Sequence, residues 1–166
     1  MTCAGATLCC VAPFELRPAG DADRRPLAVL FAAVAAERDG IAAEPPVDVE
    51  RLAANWLLDG TIVALADGEV VGEIRVGRTS FGYGEIGMMV AARWRGRGVG
   101  AALVAAAIDW ARANALHKLT LSVFPHNAAA IALYLKFGFA EEGRRVRQMR
   151  RANGELWDLI EMGLLL

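Results

Sequence analysis

The chain alternates between segments with a hydrophobic period of two and segments with a helical period. Period-two patterns and short apolar runs predict strands over residues 14–17, 61–66, 69–76, 84–90, 119–124, 144–150 and 156–164. Helical spacing predicts helices over 21–38, from 48 up to Asp59-Gly60, over 99–114 and over 127–137. This order predicts a mixed α/β fold with one central sheet.

Capping and turn residues set the predicted boundaries. Asp21 and Asp48 are good N-caps for the first two helices, and Asp39-Gly40 ends the first of them. Asp67-Gly68 between two apolar runs is the favoured pair for a tight hairpin. Gly138, after the last helix, suits the left-handed position that closes a helix.

Length and charge restrict the function classes. At 166 residues the chain fits one domain, which we place at residues 14–166 behind a flexible tail at 1–13. A net charge of −1 gives no overall attraction to nucleic acid or anionic membranes, and the longest apolar run, residues 27–36, is too short to span a bilayer. We therefore expect neither nucleic acid nor a membrane as partner.

The cysteines give no evidence of a metal site. Cys3, Cys9 and Cys10 all lie in the tail and have no metal-ligand spacing. The tail also lacks the pattern of a secretory signal, so we expect a cytoplasmic location. No base lies near these cysteines in sequence, and we expect no covalent enzyme intermediate.

The segment Arg95-Gly96-Arg97-Gly98-Val99-Gly100 lies between an apolar strand and an alanine-rich helix. Glycines at alternate positions allow a sharp turn and bring backbone N–H groups close to a ligand, and the following helix points its free amides at the same place. Arg93, Arg95 and Arg97 add positive charge. The junction predicts a phosphate-binding site for an anionic cofactor.

Two other interpretations of this segment stay open. The first is a structural turn that binds no ligand. The second is a dinucleotide-binding site, because Gly96, Gly98 and Ala101 satisfy the pattern G-x-G-x-x-A. Against a dinucleotide site, the next strand ends on Phe124-Pro125-His126, where an acidic residue for the ribose would be needed.

From about residue 14 to its end the chain resembles the GNAT superfamily of acetyl-CoA-dependent N-acyltransferases. Arg95, Gly98 and Gly100 match that family's pyrophosphate motif, Gln/Arg-x-x-Gly-x-Gly/Ala. The downstream segment from Asn127 through Tyr134 to Phe139 resembles its second cofactor motif. The C-terminal pattern is similar to both ribosomal-protein alanine acetyltransferases and phosphinothricin or amino-acid acetyltransferases.

The resemblance implies a mostly antiparallel mixed sheet flanked by helices, and acetyl-CoA as cosubstrate. It implies that the backbone from Arg95 to Ala101 holds the pyrophosphate and that Met89 and Val90 donate N–H groups to the rest of the cofactor. It also implies that Asn127 contacts the pantetheine arm and that Tyr134 protonates the departing thiolate. The full set implied for cofactor binding is Met89, Val90, Arg95, Gly96, Arg97, Gly98, Val99, Gly100, Ala101 and Asn127.

Several of these residues have plainer interpretations. Asn is favoured at helix caps, so Asn127 is also explained as a cap, and Tyr134 is also explained as an ordinary residue of an amphipathic helix. Glu85 is the candidate general base, and its alternative interpretation is a solvated strand residue. Asn127 and Tyr134 are seven residues apart, almost two helical turns, so a helix would present both on one face. The arginines from Arg144 to Arg151 form either a solvated edge strand or an RNA-binding strip.

The function predicted from the sequence is acetyl transfer from acetyl-CoA to a primary amine in a ternary complex. The amine is a small amino-acid-like molecule or a protein N-terminus, and the loop around Glu44-Pro45-Pro46 is a candidate acceptor lip. Glu37, Glu44 and Glu85 would attract a cationic amine. The alternative is a non-catalytic acetyl-CoA-binding sensor, and a homodimer stays open.

Overall fold

A computed structural model describes residues 13–166. Apart from Pro13, the predicted flexible tail, with its three cysteines, lies outside the described residues. Within the described residues, seven strands and four α-helices follow in the order β1 Glu15–Pro18, α1 Arg24–Ala36, α2 Val49–Ala54, β2 Thr61–Ala66, β3 Glu69–Arg78, β4 Tyr83–Val90, α3 Val99–Ala113, β5 Lys118–Val123, α4 Ala128–Lys136, β6 Ala140–Arg150 and β7 Leu156–Leu165.

All seven strands form one sheet in the order β1-β2-β3-β4-β5-β7-β6. Every neighbouring pair is antiparallel except β4 and β5, which are parallel. This confirms the mixed, mostly antiparallel sheet. No helix among residues 13–166 has both the length and the apolar character needed to cross a membrane.

The core lies on both faces of the sheet, because β2 is apolar at nearly every position. Ile62, Ala64 and Ala66 join the cluster formed with α3, whereas Val63 and Leu65 join the cluster formed with α1. Successive strand residues point to opposite faces, so α1 and α3 cover opposite faces. The predicted apolar stripe of α3 is confirmed: Leu103, Val104, Ala107, Ile108 and Ala111 are buried.

The two predicted N-terminal helices are shorter than expected. Asp21 does not cap α1: residues 21–23 form a 3₁₀ turn, and Arg17 and the Gly20 N–H both bind the Asp23 carboxylate. Asp48 does cap α2, because it accepts from the Arg51 N–H at 3.0 Å. However, α2 ends at Ala54, and Trp56 beyond it packs edge-on against Phe31 of α1.

Two of the predicted turns agree with the structure, whereas α1 ends at Ala36, before Asp39-Gly40, and Arg38 has a φ of +60°. Asp67 and Gly68 both have positive φ, as a type I′ hairpin requires, and Gly138 has a φ of +90° directly after α4. The last two strands form a hairpin in which β6 has only β7 as a neighbour. The edge-strand interpretation of the arginine run therefore agrees with the topology.

Candidate active site

The glycine loop before α3 exposes backbone N–H groups. Gly96 and Gly98 have φ values of +71° and +87°, and a Cβ at either would meet no heavy atom within 4 Å. The first hydrogen bond of α3 runs from the Ala102 N–H to the Gly98 carbonyl at 3.0 Å. The N–H groups of Val99, Gly100 and Ala101 therefore have no partner within the helix, and they form an anion-binding helix terminus.

The sheet opens directly below this loop. The parallel pairing of β4 with β5 covers only Tyr83–Glu85 on β4 and Lys118–Thr120 on β5. On its other edge, β5 pairs with β7 along its whole length, from Lys118 to Val123. Residues 86–90 of β4 consequently have no strand on their β5 side, and the two strands diverge.

Register decides which N–H groups face this opening. The Ala91 N–H donates to the Val71 carbonyl at 2.9 Å, and the same antiparallel register pairs Met89 with Glu73. Hydrogen-bonding direction alternates along a strand, so Met89 turns its N–H towards β3, whereas Met88 and Val90 turn theirs towards the opening. Of the two predicted donors, Val90 therefore turns its N–H group towards the opening and Met89 does not.

Asn127 and Tyr134 lie at the two ends of α4. Asn127 is the helix cap, and its side-chain oxygen accepts from the Ala130 N–H at 3.2 Å. Tyr134 is 6% exposed, with its ring packed against Phe139, and burial raises the pKa of Tyr134 to about 12. The phenol therefore stays protonated at neutral pH and is able to donate.

Glu85 lies where the opening begins. It is the last β4 residue paired with β5, opposite Thr120, and it is opposite Gly77 on β3. The side chain is exposed, and within residues 13–166 no basic group lies within 4.0 Å of its carboxylate. Within the described residues, the Glu85 carboxylate therefore has no ion-pair partner at the point where the opening begins.

Comparison with known proteins decides the family. The profile of the Acetyltransferase (GNAT) family matches residues 31–139, about two thirds of the chain. The chain belongs to the GNAT family. The matched segment begins within α1 and ends at Phe139, directly before β6, and it contains the glycine loop and the opening between β4 and β5.

Similar proteins include enzymes with different acceptors. The L-amino acid N-acetyltransferase AaaT of Escherichia coli is 36% identical over 110 residues, 61% of this chain and 65% of that protein, so just under two thirds of its length is spanned. A ribosomal-protein-alanine N-acetyltransferase structure from Brucella melitensis is 29% identical, with a TM-score of 0.83 over 92% of this chain and 99% of that one.

A third relative is a structure of yncA, a putative acetyltransferase from Salmonella typhimurium with its cofactor acetyl-CoA. It is 26% identical and has a TM-score of 0.81 over 93% of this chain and 94% of that chain. These likenesses extend over nearly the whole described structure, so the GNAT fold includes the terminal β6–β7 hairpin as well as the segment that the family profile matches.

The loop arginines of this GNAT domain have different partners. Arg95 forms a two-pronged ion pair with Glu37 at 2.7 and 2.9 Å, and its Nε donates to the Val90 carbonyl. Arg93 pairs with Glu69, whereas Arg97 lies over the Trp94 ring at 5.4 Å. Among the three, only Arg97 has no acidic partner within the described residues.

Two arginines of the run on β6 form ion pairs with β7. Arg144 pairs with Asp158 at 2.8 Å, and Arg145 pairs with Glu161 at 3.2 Å. Arg151 departs from the predicted solvated run, because it is only 3% exposed and stacks 4.4 Å from the Trp157 ring centroid. These pairings leave less free positive charge for an RNA-binding strip.

The buried Arg151 anchors the predicted acceptor lip. Its guanidinium donates to the carbonyl of Ala42 at 2.9 Å and to that of Arg38 at 3.2 Å. Glu44 accepts from the Ala152 N–H at 2.7 Å. The α1–α2 loop is thereby held against the β6–β7 hairpin, so Glu44 is not available to attract an amine.

Two charged residues on β3, Glu73 and Arg75, were not among the residues predicted from the sequence. Glu73 is 6% exposed, and this desolvation raises its pKa to about 8 even though Arg75 nearby lowers it. The sequence does contain a signal for the burial of these residues. Because β2 is continuously apolar, both faces of the sheet are covered at this strand, and the charged face of the neighbouring strand β3 is then covered as well.

Proposed function

We propose that this chain transfers the acetyl group of acetyl-CoA to a primary amine by direct attack in a ternary complex. The acceptor is a small amino-acid-like molecule or a protein N-terminus. The observation that carries the proposal is the opening between β4 and β5, which has unpaired N–H groups along one edge and an anion-binding helix terminus above it. An elongated acyl carrier with a diphosphate fits this combination.

The residues present are compatible with coenzyme A. The loop from Arg95 to Ala101 would hold the diphosphate through its backbone amides, because no side chain fills the space above Gly96 and Gly98. Met88 and Val90 would donate N–H groups along the pantetheine arm and the acyl oxygen. Asn127 would contact the arm through its amide nitrogen, since its oxygen caps α4.

Each side chain has one task in the proposed reaction. Acetyl-CoA, when bound, supplies an activated acetyl thioester. Glu85, directly or through a water molecule, accepts the proton that the attacking amine loses. Tyr134 donates a proton to the departing sulfur, and its burial keeps that proton in place at neutral pH. The free edge of β4 positions the two reactants for direct attack.

A panel of amines tests the proposal. Thiol release is measured with amino acids, peptides, polyamines and aminoglycosides, beside the change in melting temperature that acetyl-CoA causes. Turnover on at least one amine together with stabilisation is expected. Stabilisation without turnover on any amine would favour the non-catalytic sensor, and no stabilisation at all would remove both functions.

Gly98→Val is expected to weaken acetyl-CoA binding about tenfold, because a β-branched residue strains the left-handed conformation that orients the loop amides. The measurement is calorimetric titration. Gly154→Val is the matched control, since Gly154 has a φ of +90° and equally open surroundings but lies in the β6–β7 turn. Equal loss of affinity in both variants would contradict the assignment of the loop.

A further inference from the structure

Two charged side chains beneath α1, the buried Glu73 and the half-buried Arg75, have no partner among the described residues. Within residues 13–166, Glu73 and Arg75 make no hydrogen bond to each other or to any neighbour, and Arg75 Nε is fully buried. Their charged groups are also not within 4.0 Å of each other. Buried polar groups are usually paired, so a ligand that carries both a carboxylate and an ammonium group is the natural partner for the two side chains.

Register places these residues on the same face of the sheet as Glu85. Glu73 lies opposite Val63 and Met89, which both belong to the core cluster under α1. Along β3, Arg75 and Gly77 follow on that face, and they lie opposite Gly87 and Glu85 of β4. Glu73, Arg75 and Glu85 therefore form one charged cluster on the α1 face of the sheet, beside the opening.

Space for a ligand exists within this cluster. A Cβ on Gly87 would meet no heavy atom within 4 Å, although this position lies between Glu85 and Met89 along the strand. The guanidinium of Arg75 leans along β3, with its terminal nitrogens 3.6 Å from the Cβ position of Gly77. The open space over Gly87 therefore lies beside Arg75, with Glu73 in one direction along the strands and Glu85 in the other.

We propose that Arg75 binds a carboxylate of the acceptor while Glu73 and Glu85 flank its ammonium group, so that the acceptor is a free α-amino acid. This inference rests on the proposed acetyl transfer and selects among its acceptors. A guanidinium matches a carboxylate with two parallel hydrogen bonds. A protein N-terminus presents a neutral amide at that position, and polyamines and aminoglycosides present only cations.

The test measures acceptor binding separately from turnover. Calorimetry with the protein saturated with CoA compares three ligands: the best-bound standard L-amino acid, its C-terminal amide, and the amine that lacks the carboxylate. We expect the free acid to bind at least about tenfold more tightly than the other two. In steady-state assays Arg75→Gln should raise KM for the free acid about tenfold, with little change in kcat and none in KM for the amide.

Arg78→Gln is the matched control. Arg78 is on the same strand but the opposite face, where it pairs with Asp59 at 3.2 Å. Arg75→Lys keeps the positive charge without the two-pronged geometry, so it should bind the free acid with an affinity between those of wild type and Arg75→Gln. If Arg75→Gln does not fold, Arg75→Lys tests the same contact.

Two results would overturn the inference: the amide binds wild type as tightly as the acid, or Arg75→Gln weakens both ligands equally. A different result would contradict the proposed acetyl transfer. If the free acid binds in an Arg75-dependent way but no thiol is released from acetyl-CoA, the recognition site stands and the transfer reaction does not.

Discussion

Replacing Tyr134 with Phe is expected to lower kcat at neutral pH about 100-fold, the usual contribution of a general acid. Acetyl-CoA affinity and folding should change little, because the ring keeps its packing against Phe139 and the substitution removes only the hydroxyl. Steady-state kinetics and calorimetric titration of acetyl-CoA measure the two quantities separately. An unchanged kcat would remove Tyr134 from the mechanism.

The second tyrosine of the chain provides a matched control. Tyr83, the first residue of β4, is half-buried and lies away from the unpaired part of that strand, so Tyr83→Phe should leave kcat near the wild-type value. The pH profile adds a further check. Because burial raises the pKa of Tyr134 to about 12, the ratio of wild-type to Tyr134→Phe activity should stay constant from pH 7 to about pH 10. A tyrosine with an ordinary pKa would lose its proton near pH 10, and the ratio would then fall.

Local signals explain why most of the fold was predictable. The Asp67-Gly68 turn, the Asp48 cap, the Gly138 closure and the stripe from Leu103 to Ala111 each depend on a few neighbouring residues. The predictions at Asp21 and Trp56 were wrong where contacts with neighbouring elements are not visible in the local pattern. Arg17 of β1 binds the Asp23 carboxylate, and Trp56 packs against Phe31 of α1.

The candidate site was predictable only in part, for a related reason. The glycine loop and α4 are continuous in sequence, so their motifs are visible in one segment. In contrast, the choice between Met88 and Met89 depends on the register of β4 against β3, which no local pattern reports. Arg151 belonged to a basic run in sequence, yet the fold places it between Trp157 and the α1–α2 loop.

Glu73 couples the acceptor face to the stability of the whole fold. Its pKa is about 8 in the folded protein against an ordinary value of 4.5, so between these pH values the folded state binds the proton more strongly than the unfolded state. Stability from this group is therefore present below about pH 4.5 and is lost as pH rises towards 8. At about 1.4 kcal/mol per pKa unit, the free energy of unfolding should fall on the order of 3 kcal/mol between pH 5.5 and 8.

Glu73→Gln should remove this dependence, because the amide has the same shape and does not ionise. Urea denaturation at pH 5.5, 7 and 8.5 should give a flatter profile for the variant, which becomes more stable than wild type at pH 8.5. Glu85→Gln removes the same charge from the same face of the sheet, but its exposed side chain should leave the wild-type slope unchanged. If the Glu73→Gln and wild-type profiles ran parallel, the carboxylate would be ionised at neutral pH in the folded protein. Groups within the fold would then already stabilise the charged form of Glu73, and the argument that it binds the ammonium group of a ligand would be lost.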